Sequence, residues 1–110
     1  QEPDHRAIAK AKEYGIDISH YRGRQIDVAD FKTFDRILVM DASNYENTLL
    51  VAESDDDKSK VEMILNLSNP NSNMSVPDPY FGGEEGFENV YRLLDSACDV
   101  LIEQIENGES

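Results

Sequence analysis

Cysteine is almost missing from this sequence: Cys98 stands alone in 110 residues. No internal disulfide can form, which excludes a secreted scaffold stapled by disulfides. Long apolar runs are missing too, and none approaches the roughly 20 residues that a membrane-spanning helix needs. No positively charged, then apolar, leader precedes a cleavage site, so the expectation is a soluble, cytoplasmic protein. Basic residues are scarce, with 10 Lys and Arg against 23 Asp and Glu and a net charge of -13. Such a balance excludes nucleic acid and anionic membranes as partners, and any anionic substrate must be drawn by a local positive site. Much of the negative charge lies in Asp55-Asp56-Asp57 and in the tail from Glu103 to Glu109, both read as solvated faces. The pattern contains no metal-ligand set and calls for no cofactor.

A domain near this size buries roughly two-thirds of the surface that its unfolded chain exposes. One core over residues 1–110 is therefore expected. Ala7, Ile8, Ala11 and Tyr14 recur at helical spacing and predict a helix over 4–14, with Gly15 as a left-handed cap. From Ile16 to Asp30 the mixture of polar and basic residues predicts a loop. Arg36-Ile37-Leu38-Val39-Met40 then reads as a buried, parallel central strand. Ser43 and Glu46 form a capping-box pattern and predict a helix over about 44–52. Lys60 to Leu67 fits a strand better than a helical turn, and Asn69 to Val76 is a turn-rich connection. Phe87, Val90, Tyr91, Leu94, Ala97, Cys98, Leu101, Ile102 and Ile105 line one face of a long amphipathic helix. On that stripe Cys98 is a small core residue rather than a nucleophile. Alternating helices and strands give an α/β chain with crossover connections.

The stretch Val76-Pro77-Asp78-Pro79-Tyr80-Phe81-Gly82-Gly83 carries chemistry. Pro77 and Pro79 restrict both Val76 and Asp78, so Asp78 is displayed with little backbone freedom. Alone, that carboxylate is an ordinary turn former. Beside it, Tyr80 and Phe81 are either packing residues or the walls of a slot for a flat ring. A carboxyl group held over a leaving oxygen does general-acid work, which a phenol of pKa about 10 needs at neutral pH. The loop suits aryl phosphate chemistry.

Pro3-Asp4-His5-Arg6-Ala7, Gly15-Ile16, His20-Tyr21-Arg22-Gly23-Arg24-Gln25, Asp30-Phe31, Phe34-Asp35, Met40-Asp41-Ala42-Ser43-Asn44, Val76-Pro77-Asp78-Pro79-Tyr80 and Gly86-Phe87-Glu88-Asn89-Val90-Tyr91 follow one another in this order. In that order and register the chain resembles the low-molecular-weight protein-tyrosine phosphatases over nearly its whole length. The resemblance implies an α/β, Rossmann-like three-layer fold around a short parallel four-stranded sheet. It also implies a Cys-x5-Arg phosphate loop after the first strand, whose thiolate attacks phosphorus. No such loop occurs in the 110 residues, because the position after Cys98 and five spacers is Gln104 rather than arginine. Residues 1–110 are thus expected to form a single, incomplete domain lacking the first strand, the nucleophile loop and the first helix. Carried over by resemblance, Asp78 is the general acid and base, and Tyr80 and Phe81 bound the substrate. His20, Asp41 and Asn44 support the phosphate loop. From the residues alone, Asp41 serves equally as a helix cap.

The implied function is hydrolysis of phosphotyrosine, in a protein or a small aryl phosphate, through a cysteinyl-phosphate intermediate. Without the nucleophile, the 110 residues alone should be inactive. Alternatives on the same fold are an arsenate reductase, disfavoured by the single cysteine, and an arginine-phosphate phosphatase. A non-catalytic acidic protein-binding module, resting on Asp41 at a strand end, is the alternative from another class. If the first strand is lacking, the apolar edges of Ile37-Leu38-Val39 should be left exposed.

Overall fold

A computed structural model describes residues 5–18, 26–77 and 83–108. Helix α1 spans His5–Glu13 and ends in Lys10 and Lys12, whose charges suit the negative end of the helix dipole. Gly15 then takes φ +76, the left-handed cap that the sequence predicts. Its carbonyl accepts from Asp35 N at 2.6 Å and from Arg36 N at 3.2 Å. A Cβ at this position would lie 2.9 Å from Asp35 Oδ2. The backbone angle favours glycine, whereas Asp35 Oδ2, at the end of its side chain, can swing aside. Gly15→Ala is expected to cost about 1 to 2 kcal/mol, from the left-handed penalty. Chemical denaturation checks this, and a loss below about 0.5 kcal/mol would mean that the α1-to-sheet turn is free to rearrange.

The turn feeds β1, Ile16–Ile18, which pairs in parallel with β2, Arg36–Val39, in the register Ile16↔Arg36 to Ile18↔Leu38. The segment predicted as a loop from Ile16 therefore begins with a strand. Three residues are too few for alternation to announce it, and the buried Asp17 between two isoleucines masks its apolar character. Helix α2, Asp30–Thr33, connects β1 to β2. Beyond β2, helices α3 (Ala42–Val51) and α4 (Asp55–Lys58) lead to β3, Val61–Met63, which pairs in parallel on the other side of β2. The strand order is β1-β2-β3. A single 3-10 turn, Ile64–Asn66, follows β3. Lys60 to Leu67 is thus half strand and half turn. Helix α5, Gly83–Glu106, starts four residues before the predicted apolar stripe.

Alternation along the strands divides the core into two. On one face Ile16, Ile18, Leu38 and Met40 pack with Ala11 of α1 and with Leu94, Ala97, Leu101 and Ile105 of α5. On the other, Ile37, Val39, Val61 and Met63 pack with Phe31 and Phe34, and Tyr45, Leu49 and Val51 of α3 cover them. Helices on both faces of a parallel sheet make the three-layer α/β arrangement that the sequence predicts. Cys98 lies in the α5 stripe as predicted and is 1% exposed. Tyr91 departs from that stripe and is 52% exposed.

One expectation is overturned. Ile37, Leu38 and Val39 are each 0% exposed, because β2 is bonded along both edges and covered on both faces. The apolar run is the central strand of a sheet rather than an open edge. Across the same sheet Arg36 forms a fork with Glu62, Nε donating to Oε2 at 2.7 Å and an Nη to Oε1 at 2.9 Å. Its other Nη donates to Gln104 of α5 at 3.3 Å. This fork ties the strand N-termini to the last turns of α5, at the end of the sheet away from the site described next.

Candidate functional site

In a parallel α/β sheet all strands point one way, and ligands meet the crevice beyond their carboxyl ends. At that end of β2 stand Met40 and Asp41. Asp41 is in extended backbone, φ -146 and ψ 175, and its side chain accepts from Asn44 N at 2.8 Å. This is the N-cap of α3. The predicted capping box of Ser43 and Glu46 is therefore corrected, since α3 begins at Ala42 and leaves Ser43 and Glu46 exposed inside its first turns. Asp41 outcompetes Ser43 because it alone holds the extended dihedrals that aim a side chain back at the helix amides.

A second free amide of this helix end is also occupied. Ala42 N donates to Ser75 Oγ at 3.0 Å, and Val76 N donates to Met40 O at 2.7 Å. The segment before the Pro77-Asp78-Pro79 sequence is therefore fastened to the carboxyl end of β2 by two hydrogen bonds. Val76 is half-buried and packs against the core beneath α5.

Of the site residues predicted from sequence, Asp41 and Asn44 are brought together, through the carboxylate of one and the backbone amide of the other. Asp78, Tyr80, Phe81 and His20 lie outside the described residues. Their flanking segments are described, however. β1 ends at Ile18, level with Leu38, and the other segment is held at Met40 and Ala42. Both chains leave from the same end of the sheet. Sequence reasoning missed Asn66, placed in a predicted strand over Lys60 to Leu67, and Ser75, placed in a plain turn-rich connection over Asn69 to Val76; the density of Asn and Ser there was the available signal. Among the described residues, no group of three or more His, Cys, Asp or Glu is placed to hold a metal ion. Among them, too, no helix is long and apolar enough to cross a membrane.

Comparison with known proteins agrees with this architecture. A Synechocystis sp. relative of the low molecular weight protein-tyrosine-phosphatase type is 40% identical over 100 residues, covering 91% of this chain and 63% of its own. The human low molecular weight phosphotyrosine protein phosphatase is 37% identical over 105 residues, covering 93% of this chain and 64% of its own. The chain thus spans slightly under two thirds of the length of these relatives. Among solved structures, a protein tyrosine phosphatase from Entamoeba histolytica, crystallised with Hepes in its active site, superposes with a TM-score of 0.66 at 32% identity. That match covers 97% of this chain and 67% of the other. The family pattern described as low molecular weight phosphotyrosine protein phosphatase matches residues 1–110 throughout, and the chain belongs to that family.

Proposed function

We propose that this chain supplies the acid-loop part of a hydrolase acting on phosphotyrosine and related aryl phosphate monoesters, with the nucleophilic cysteine contributed from upstream of Gln1. What supports the reading is one observation: in a member of this family, the segment leading to Asp78 is pinned by Ser75 and Val76 to the carboxyl end of the central strand. Asp78 follows Val76 by two residues, a reach of at most about 7 Å between their Cα atoms.

In the proposed reaction a thiolate attacks phosphorus, the S–P bond forms and the P–O bond to the phenol breaks. Asp78, protonated, delivers its proton to the departing phenolic oxygen. Now ionised, Asp78 takes a proton from water; the water oxygen bonds to phosphorus and the thiolate leaves, releasing inorganic phosphate. Tyr80 and Phe81 flank the aryl ring. His20, Asp41 and Asn44 support the phosphate loop, and Asp41 does so while fixing the start of α3. No metal or cofactor enters any step. Cys98 cannot replace the nucleophile: it is 1% exposed within α5, and Gln104 stands where the arginine of a phosphate loop would be.

The test is phosphate release from phenyl phosphate and from a phosphotyrosine peptide, with the full-length protein and with residues 1–110 alone. Turnover by the full-length protein and none by the shorter chain is expected. Hydrolysis confined to phosphoarginine would shift the substrate class, and Mg²⁺ binding without any turnover would favour a non-catalytic module.

A further inference from the structure

Asn69 to Val76 looks like a passive connection in sequence, but with Asn66 its hydrogen bonds form a strut between the core and the segment that precedes Asp78. Ile64 and Leu65, in the 3-10 turn after β3, are 0% exposed, so Asn66 stands on a fixed floor. Its Oδ1 accepts from Asn73 N at 2.7 Å and from Ser72 Oγ at 3.4 Å, and its Nδ2 donates to Asn73 Oδ1 at 3.0 Å. Asn71 and Asn73 take φ of 64 and 54, left-handed conformations that asparagine tolerates better than other side chains. One side chain thus gathers a loop that doubles back on itself. Two residues beyond Asn73, Ser75 Oγ accepts from the first amide of α3, and Val76 N then bonds to Met40 O. Together with the packing of Val76 on the core and the bond from Asn69 N to Leu65 O, the contacts of Asn66, Asn73 and Ser75 fasten this segment to the core and to the end of β2.

We infer that Asn66 and Ser75 are positioning residues for the general acid: they hold the chain before Pro77 against the carboxyl end of β2, so that the carboxylate of Asp78 meets the leaving oxygen at one place. The inference rests on the proposed phosphatase reading. Because Pro77 and Pro79 limit local adjustment, an error in the anchor is passed on to Asp78 rather than absorbed between them. Neither residue touches the substrate, and their influence runs only through the proton donor.

A structural role and a positioning role differ in which substrate suffers. Expulsion of the phenol is the step that kcat/KM reports, and a phenol of pKa about 10 needs the proton far more than an acidic nitrophenol does. In the full-length protein, Asn66→Ala is expected to lower kcat/KM for phenyl phosphate about tenfold, within the 100-fold that a 1 Å misplacement can cost. For p-nitrophenyl phosphate the change should stay within about twofold. Asn66→Asp, which keeps the Oδ1 acceptor while Asn73 rotates its amide to donate, should recover most of the loss. Combined with Asp78→Asn, Asn66→Ala should cause no further decrease, the non-additivity of two residues acting through one proton. Ser75→Ala, which removes one exposed hydroxyl, should show the same selectivity with a smaller amplitude and decides the matter if Asn66→Ala does not fold. Equal loss on both substrates, or an additive loss in the Asp78→Asn background, overturns the inference and leaves the phosphatase reading standing. Unchanged phenyl phosphate hydrolysis by Asp78→Asn removes Asp78 as the acid and the inference with it, whereas no turnover by the full-length parent removes the phosphatase reading itself.

Discussion

Asp78→Asn in the full-length protein is expected to slow phenyl phosphate hydrolysis by roughly 100-fold to 10,000-fold, the span usually lost with a general acid. The amide is close in size to the carboxyl and keeps the shape of the loop, so the loss isolates the proton rather than the packing. It should depend on the leaving group. A phenol of pKa about 10 cannot depart as its anion at a useful rate near neutral pH, whereas an acidic phenol can. The rate constants of parent and variant should therefore diverge as the leaving phenol becomes less acidic. The second half-reaction gives an independent reading, because there the ionised carboxylate must take a proton from water. Rapid mixing should show the cysteinyl-phosphate accumulating in the variant even with an acidic leaving group. A rate on phenyl phosphate within about threefold of the parent would remove Asp78 from the mechanism.

The structure also explains which parts of this molecule could be read in advance. Ile37-Leu38-Val39 announced a buried parallel strand because a strand covered on both faces has no polar position to interrupt it, and all three residues are fully buried. Gly15 announced its turn because its φ of +76 suits few other residues. The α5 stripe was legible over Leu94, Ala97, Leu101 and Ile105, where 24 residues of helix allow the period to repeat many times. β1 was not legible, since three residues carry no period and Asp17 sits at its centre. Its strand character comes from pairing with β2 and not from its own composition. The cap of α3 was placed two residues late, because Asp41, Ser43 and Asn44 are all capping residues and only backbone dihedrals choose among them. For the candidate site, the pattern around Asp78 suggests general-acid chemistry, but nothing local in it announces how the segment before Pro77 is fastened. The anchor through Asn66 and Ser75 depends on contacts across seven and 33 residues, which no local pattern encodes.

A second large effect follows from the position of Leu38. It is 0% exposed, lies in the middle of the central strand, and packs in the cluster formed with Ile16, Ile18, Ala11, Leu101 and Ile105. Leu38→Ala removes buried methyl groups where strands on both sides and helices on one face limit collapse. It should cost about 3 to 5 kcal/mol, the range for leucine truncation in a core that closes only partly. Against a typical stability of about 5 to 15 kcal/mol this is a large fraction, and the melting temperature should fall by roughly 10 °C or more. Leu50→Ala is the matched control, with the same atoms removed from α3 at a residue 83% exposed. It should change stability by no more than about 0.5 kcal/mol, and alanine's helix propensity offsets part of any loss. Denaturant titration of both variants with an unchanged m-value makes the comparison clean. The contrast tests the topology directly: an apolar run at an open sheet edge would already be partly hydrated, and truncating it would cost little. A Leu38→Ala penalty below about 1 kcal/mol would therefore place Ile37-Leu38-Val39 at such an edge, whereas the full penalty requires β1, β3, α1 and α5 all to close around it.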